Sequence, residues 1–90
     1  MNSYLTDDFV DAFRELPQPV QEQARTCYRI WRTNPQHPSL QFKQVHPTES
    51  LYSVRIGLGW RALGLLDDDG ITWFWIGSHA EYDRLIRRFR

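Results

Sequence analysis

The chain has 90 residues, with eleven basic and eleven acidic side chains and therefore a formal net charge of zero. This length provides for one hydrophobic core, so we expect a single domain over residues 1–90. Zero net charge argues against bulk electrostatic attraction to nucleic acid, which normally needs a clear basic excess.

The cysteine and histidine content argues against disulfide and metal sites. Cys27 is the only cysteine, which excludes an intrachain disulfide and CxxC metal sites. The three histidines are dispersed without metal-ligand spacing, so we expect no metal and no other cofactor. No segment is apolar over the length of a membrane span and no signal peptide is recognisable, which predicts a cytoplasmic protein with no membrane partner.

Two helices are predicted in the first third of the chain. The first spans residues 7–16, with Thr6 as its N-cap and Pro17 after its end. The second begins near Pro19 and ends at residues 34–35. Its apolar residues recur at helical spacing: Val20, Ala24, Cys27 and Trp31. The short link between the two predicts an antiparallel helical hairpin.

After a loop at residues 34–40, the apolar period changes from helical to alternating. Strands are predicted at residues 41–46, 51–57, 60–66 and 71–76. Turns are predicted at residues 47–50, 58–59 and 67–70. Residues 2–5 give only a weak signal for an additional edge strand. The pattern therefore predicts a four-stranded antiparallel meander behind the two helices.

A last helix is predicted from Ser78, which is followed three residues later by Glu81 as in a capping box. Its apolar stripe consists of Tyr82, Leu85, Ile86 and Phe89. The other face and the C-terminal end carry arginines at positions 84, 87, 88 and 90. Such a group is usually a solvated helix face, although it could also receive an acidic protein segment or RNA.

The strand pair at residues 51–66 carries two arginines, Arg55 and Arg61, within apolar sequence. A half-buried guanidinium adds nothing to the stability of a strand pair unless something binds it. The planar arginine fork matches two oxygens of a phosphate. The hairpin is therefore interpreted first as a phosphate-binding surface. The structural alternative is a solvated Arg55 and an Arg61 paired with the acidic run at residues 67–69.

The chain resembles toxins of the RelE/ParE superfamily from bacterial type II toxin–antitoxin systems. The resemblance extends from about Phe9 to Leu85 and is carried by residues 16–17, 20–21, 34–40, 42–43, 52–57, 60–62 and 73–79. It implies an α+β fold in which a two-helix hairpin packs on a four-stranded, mainly antiparallel sheet with a short C-terminal helix. It also implies a cognate antitoxin protein as partner.

The resemblance to the RelE branch implies a metal-independent endoribonuclease that cuts mRNA on the ribosome and blocks translation. Positions matching that branch assign catalytic roles to Arg55, Arg61 and His79. The start of a helix suits His79 as a base, because the positive end of the helix dipole favours the neutral imidazole. The candidate RNA-binding residues are Lys43, Trp60 and Tyr82, the two aromatic ones by stacking on bases. Each has a structural alternative, which is solvation for Lys43 and core packing for Tyr82.

Two other functions remain open from the sequence. RelE carries a second lysine where this chain has Ser53, its closing tyrosine lies where this chain has Leu85, and RelE-like toxins are commonly basic. The ParE branch keeps the fold without the nuclease residues and poisons DNA gyrase. The alternatives to an endoribonuclease are therefore a non-catalytic gyrase poison and a non-toxic interaction protein that retains the fold.

Overall fold

The computed structural model describes residues 1–88 and contains three α-helices and a five-stranded sheet in that range. The helices are α1 (Asp7–Arg14), α2 (Gln18–Thr33) and α3 (His79–Arg87), and a short 3₁₀ helix covers Pro38–Leu40. The strands are β1 (Asn2–Leu5), β2 (Lys43–Gln44), β3 (Leu51–Ile56), β4 (Trp60–Leu66) and β5 (Gly70–Ser78). Their order in the sheet is β1-β5-β4-β3-β2.

The predicted α+β architecture is confirmed, with one strand more than predicted. Strands β2 to β5 form the antiparallel meander, and β1 adds a fifth strand parallel to β5, with Asn2 opposite Gly70 and Leu5 opposite Trp73. Both Asn2 and Tyr4 donate hydrogen bonds to Asp69, at 3.2 and 2.6 Å. These contacts join segments far apart in the chain. Because β1 depends on them, the four residues of this strand give only a weak strand pattern in the sequence.

The strand predicted at residues 41–46 is much shorter, because both of its ends are turns. Gln41 ends the 3₁₀ helix in the left-handed region, with φ 45°. At the other end, His46 Nδ1 accepts hydrogen bonds from the backbone N–H groups of Thr48 and Glu49, at 3.1 and 2.9 Å. Only Lys43 and Gln44 remain extended, opposite Ser53 and Tyr52.

The sheet has two covered faces, and each has its own apolar cluster. Helices α1 and α2 cover one face, which we call the α1–α2 face, with the residues Trp31, Leu40, Val54, Ile56, Ala62, Ile71, Trp73 and Ile76 at its centre. Helix α3 covers part of the opposite face, the α3 face, where Ile86 packs on Leu51 and Leu63. Strand alternation decides which residues lie on each face.

A register shift between β4 and β5 places one more aromatic side chain in the apolar cluster of the α3 face. Leu63 lies opposite Trp75 and Gly64 lies opposite Trp73, so Phe74 has no partner on β4. Phe74 and Trp75 consequently both pack into the cluster under α3, although they are neighbours in the chain. Trp73 packs on the α1–α2 face instead.

The last helix begins where the sequence predicts. Ser78 Oγ accepts a hydrogen bond from the backbone N–H of Glu81, and the Glu81 side chain accepts one from the backbone N–H of Ser78. Hydrogen bonding to Ser78 lowers the pKa of Glu81. Two predicted residues of this helix, Phe89 and Arg90, lie outside the described residues. Within residues 1–88, no helix has the length and apolar character needed to cross a membrane.

Candidate functional site

The two arginines of the β3–β4 hairpin lie directly opposite each other. Arg55 on β3 pairs with Arg61 on β4, and Arg61 in turn lies opposite Gly77 on β5. Alternation along β3 places Tyr52, Val54 and Ile56 toward the α1–α2 face, so the side chain of Arg55 leaves the strand on the opposite face, as predicted. Two like charges at one cross-strand position repel each other, which is unfavourable for the sheet alone.

Arg61 is the more constrained of the two cations. Its Nη1 donates a 2.8 Å hydrogen bond to the carbonyl of Trp60. Burial and then the neighbouring charge of Arg55 lower the pKa of Arg61, while Tyr82 and Asp83 act in the opposite direction. Arginine still remains protonated. The folded chain therefore holds a partly desolvated cation next to another cation, a situation that a bound anion would relieve.

The acidic run at residues 67–69 does not neutralise Arg61. Asp69 accepts hydrogen bonds from Asn2 and Tyr4, and Asp67 accepts them from the backbone N–H groups of Asp69 and Gly70. Among residues 1–88, the ion pairs are those of Arg25 with Glu22 and of His79 with Asp83. Arg61 thus has no ion-pair partner in that range.

Arg55 is held at the turn of the hairpin. Its Nε donates a 3.0 Å hydrogen bond to the carbonyl of Gly57. The side chain also borders a depression between α2 and the turn, which Gln23 and Thr26 line from the helix side. Arg55 consequently lies at the rim of the site, and Arg61 lies closer to α3.

The start of α3 brings His79 to the same end of the hairpin. Trp60 pairs with Ser78, and the backbone N–H of His79 donates a 2.8 Å hydrogen bond to the carbonyl of Gly59 in the β3–β4 turn. The imidazole Nδ1 lies 3.2 Å from Asp83 Oδ2. Arg61 and His79 are therefore fixed by a shared set of backbone hydrogen bonds.

A polar groove of about 600 Å³ separates β2 from α3. Lys43 lines it from the strand side, and Tyr82, Asp83 and Arg87 line it from the helix side. Tyr82 also packs against Trp75, with ring centroids 6.5 Å apart, and its ring lies 6.3 Å from that of His79. The structure thus brings two predicted RNA-binding residues, Lys43 and Tyr82, to one groove beside His79.

Trp60 lies elsewhere. It is opposite Ile56 on β3 and packs against the cluster on the α1–α2 face. Neighbouring residues of a strand point to opposite faces, so Trp60 and Arg61 diverge. A base held next to Arg61 on the α3 face would not reach this indole, and the predicted stacking role of Trp60 does not fit the geometry.

Asp83 is the site residue that the sequence prediction missed. It lines the groove, contacts His79 and acts to raise the pKa of Arg61. The available signal was its spacing, because residues four apart on a helix are neighbours. Residues 1–88 contain no group of three His, Cys, Asp or Glu side chains that could hold a metal ion.

A second cavity, of about 200 Å³, lies on the α1–α2 face and is almost entirely apolar. Phe13, Tyr28 and Trp31 are among the residues that line it. Cys27 also borders it, and burial raises the pKa of that thiol, which favours the unreactive protonated form. Arg25 is the charged residue that lines this cavity, and its guanidinium already contacts Glu22 and the Phe13 ring.

Comparison with known proteins identifies the class to which this fold and site belong. Residues 18–84 match the ParE-like toxin domain, and the chain is a member of that family. Comparison with curated protein sequences gave no significant match.

The fold is also that of RelE proteins of known structure. The toxin in a RelB–RelE antitoxin–toxin complex from Methanococcus jannaschii superposes with a TM-score of 0.71 at 14% identity, covering 90% of this chain and 96% of that one. A RelE–RelB complex from Pyrococcus horikoshii gives 0.67 at 16% identity, with 86% and 92% covered. The isolated E. coli RelE toxin gives 0.63 at 14% identity, with 98% and 97% covered.

Proposed function

We propose that this protein is the toxin of a type II toxin–antitoxin system and that it cuts mRNA on the ribosome in the cytoplasm. The observation that carries the proposal is the arrangement at the β3–β4 turn and the start of α3. Arg55 and Arg61 occupy directly opposite positions on the hairpin, neither has an ion-pair partner within residues 1–88, and the backbone of His79 is hydrogen-bonded to the turn at the same end. Cations and a proton carrier are the groups that phosphodiester cleavage needs.

The proposed reaction is attack of a ribose 2′-hydroxyl on the adjacent phosphorus. The 2′-oxygen forms a bond to phosphorus while the bond to the 5′-oxygen of the next nucleotide breaks, leaving a cyclic phosphate and a 5′-hydroxyl. Arg61 and Arg55 would stabilise the negative charge that grows on the phosphate oxygens. His79 would accept the proton of the 2′-hydroxyl, and solvent water would supply the proton that converts the leaving 5′-oxygen into the hydroxyl. The arginines supply the positive charge, so no metal enters this scheme.

The groove between β2 and α3 gives the message a path to these groups. Lys43 is exposed on the groove wall and can neutralise a backbone phosphate. Tyr82 presents a ring beside His79 on which a base can stack. The site would thus attract RNA through local positive charge, although the net charge of the chain is zero. The ribosome would provide the remaining affinity for the message.

The direct test is cleavage of a ribosome-bound message, with the cut sites mapped by primer extension. We expect the wild type to cut and His79→Gln to cut roughly 10²–10⁴-fold more slowly, the range contributed by a positioned acid–base group. Glutamine keeps polarity and approximate size but cannot carry the proton.

The control for that test is Arg14→Ala, on α1 and away from the α3 face. It should cut at the wild-type rate, and circular dichroism should show the same fold for all three proteins. Equal cutting by wild type and His79→Gln would remove His79 from the mechanism. No cutting by the wild type would remove the nuclease proposal itself.

Inhibition of DNA gyrase without RNA cleavage is the second candidate function. It is favoured by the match to the ParE-like family and by Ser53, which is only 3% exposed and leaves Arg55 as the one basic residue of β3. Under this proposal, the wild type would block gyrase supercoiling of plasmid DNA while ribosome-bound message stays intact. His79→Gln would then inhibit gyrase as well as the wild type does. Unimpaired growth on expression, with neither activity, would indicate a non-toxic interaction protein.

A cognate antitoxin is proposed as the partner under both toxin functions. The comparison structures from Methanococcus jannaschii and Pyrococcus horikoshii are antitoxin–toxin complexes. An antitoxin helix or strand laid across the α3 face would cover Arg61 and His79. Acidic residues in that segment would pair with the arginines of α3, since Arg84 and Arg87 lie on its exposed side.

A further inference from the structure

Asp83 contacts His79 from one helical turn further along α3. The distance from Asp83 Oδ2 to His79 Nδ1 is 3.2 Å, and the side chains are 44% and 47% exposed. Exposed ion pairs typically contribute only about 0–1 kcal/mol to stability. Stability is therefore a weak explanation for the contact.

The order of His79 and Asp83 along the helix also argues against a role in stability. A pair four residues apart stabilises a helix best when the acid comes first, because the acid then lies nearer the positive end of the helix dipole. Here His79 is the first residue of α3 and the acid follows it. The helix start is already stabilised by Ser78 and Glu81 through the capping box.

We propose that Asp83 is a positioning residue that fixes the tautomer of His79. A neutral imidazole carries one N–H, and the hydrogen bond made by one ring nitrogen decides the state of the other. With Asp83 accepting a hydrogen bond from Nδ1–H, Nε2 has no proton and is the atom that can accept one. The catalytic meaning of this arrangement rests on the proposed nuclease function, but the tautomer itself does not.

The surroundings of Asp83 suit this role. The groups that face the pair are Tyr82 and Arg87 on α3, Arg61 on β4, and Lys43 across the groove. The Asp83 carboxylate partly offsets the repulsion that Arg55 exerts on Arg61, since it acts on the pKa of Arg61 in the opposite direction. One carboxylate thus orients the imidazole and helps to keep a cation beside it.

The tautomer can be read directly from long-range ¹H–¹⁵N correlation spectra of uniformly labelled protein, at a pH where the imidazole is neutral. We expect the His79 signals, assigned by their loss in His79→Gln, to show the Nδ1–H form in the wild type. Asp83→Ala should shift them toward the Nε2–H form. The matched control is Asp68→Ala in the β4–β5 loop, which should leave them unchanged. A wild-type His79 in the Nε2–H form, or one indifferent to Asp83→Ala, would overturn the proposal.

Cleavage kinetics supply the second measurement. Asp83→Ala should lower the single-turnover rate of message cleavage at least about tenfold, part of the roughly 10²–10⁴ contributed by an acid–base group. Binding to ribosomes, measured by co-sedimentation, should not change. An unchanged rate would exclude Asp83 from the cleavage step, and a faster one would show that its carboxylate weakens anion binding; both outcomes contradict the proposal. If the wild type does not cut RNA, the nuclease function fails, and the spectra alone decide whether Asp83 orients His79.

Discussion

Arg61→Ala is expected to lower the rate of message cleavage about 10²–10³-fold, the cost of removing one preorganised group that stabilises a developing anion. The guanidinium is anchored by the carbonyl of Trp60, lies opposite Arg55 and has no ion-pair partner within residues 1–88. The measurement is single-turnover cleavage of ribosome-bound message.

The stability of Arg61→Ala should not fall with its cleavage rate. Arg61 is partly desolvated and repelled by Arg55, so its replacement should leave the free energy of unfolding unchanged or slightly higher. Arg61→Lys keeps the charge but not the planar fork, and we expect it to recover only part of the lost rate. A strongly destabilised Arg61→Ala protein would assign Arg61 to the structure instead, and full activity would exclude it from the site.

Trp31→Ala should have the largest effect on stability, lowering the free energy of unfolding by about 3–5 kcal/mol. Trp31 is 2% exposed at the centre of the cluster on the α1–α2 face. Its ring makes edge contacts with Phe42 and Trp73, with centroids 5.8 and 5.5 Å away, and stacks on Tyr28 at 6.1 Å. The loss is a large fraction of the stability of a typical small domain, which is about 5–15 kcal/mol.

Urea unfolding followed by circular dichroism measures this loss. Leu58→Ala is the control, because Leu58 is 83% exposed in the β3–β4 turn and should cost no more than about 0.5 kcal/mol. Trp31→Phe should lie between the two, since it keeps part of the aromatic volume. A loss below about 1 kcal/mol for Trp31→Ala would mean that α2 is not anchored to the sheet by this side chain.

Local patterns predicted most elements because they depend on neighbours in the chain. The capping box at Ser78 and the alternation along β3 are short-range signals, and both are confirmed. The parallel strand β1 was the weak point. It exists through its pairing with β5 and its contacts to Asp69, which lie more than 60 residues away, and no local pattern of four residues encodes such a partner.

The residues of the site also divide into those that the sequence predicted and those that it did not. Alternation predicted that Arg55 points away from the α1–α2 face, and the family resemblance supplied Arg61 and His79 as its companions. The stacking role predicted for Trp60 conflicts with the same alternation, since a residue adjacent to Arg61 on the strand must face the other side. Asp83 was not predicted because its contact in the structure is with His79, and helical spacing was the one sequence signal for that contact.

The sequence by itself determined the two-helix start, the antiparallel meander and the capped last helix, because periodicity and capping act within a few residues. Only the tertiary structure decided the direct opposition of Arg55 and Arg61, the return of β1 to β5, and the groove that joins Lys43 to α3. Those features depend on strand register and on how α3 packs across the sheet. Both are set by side chains that meet across long separations in the chain.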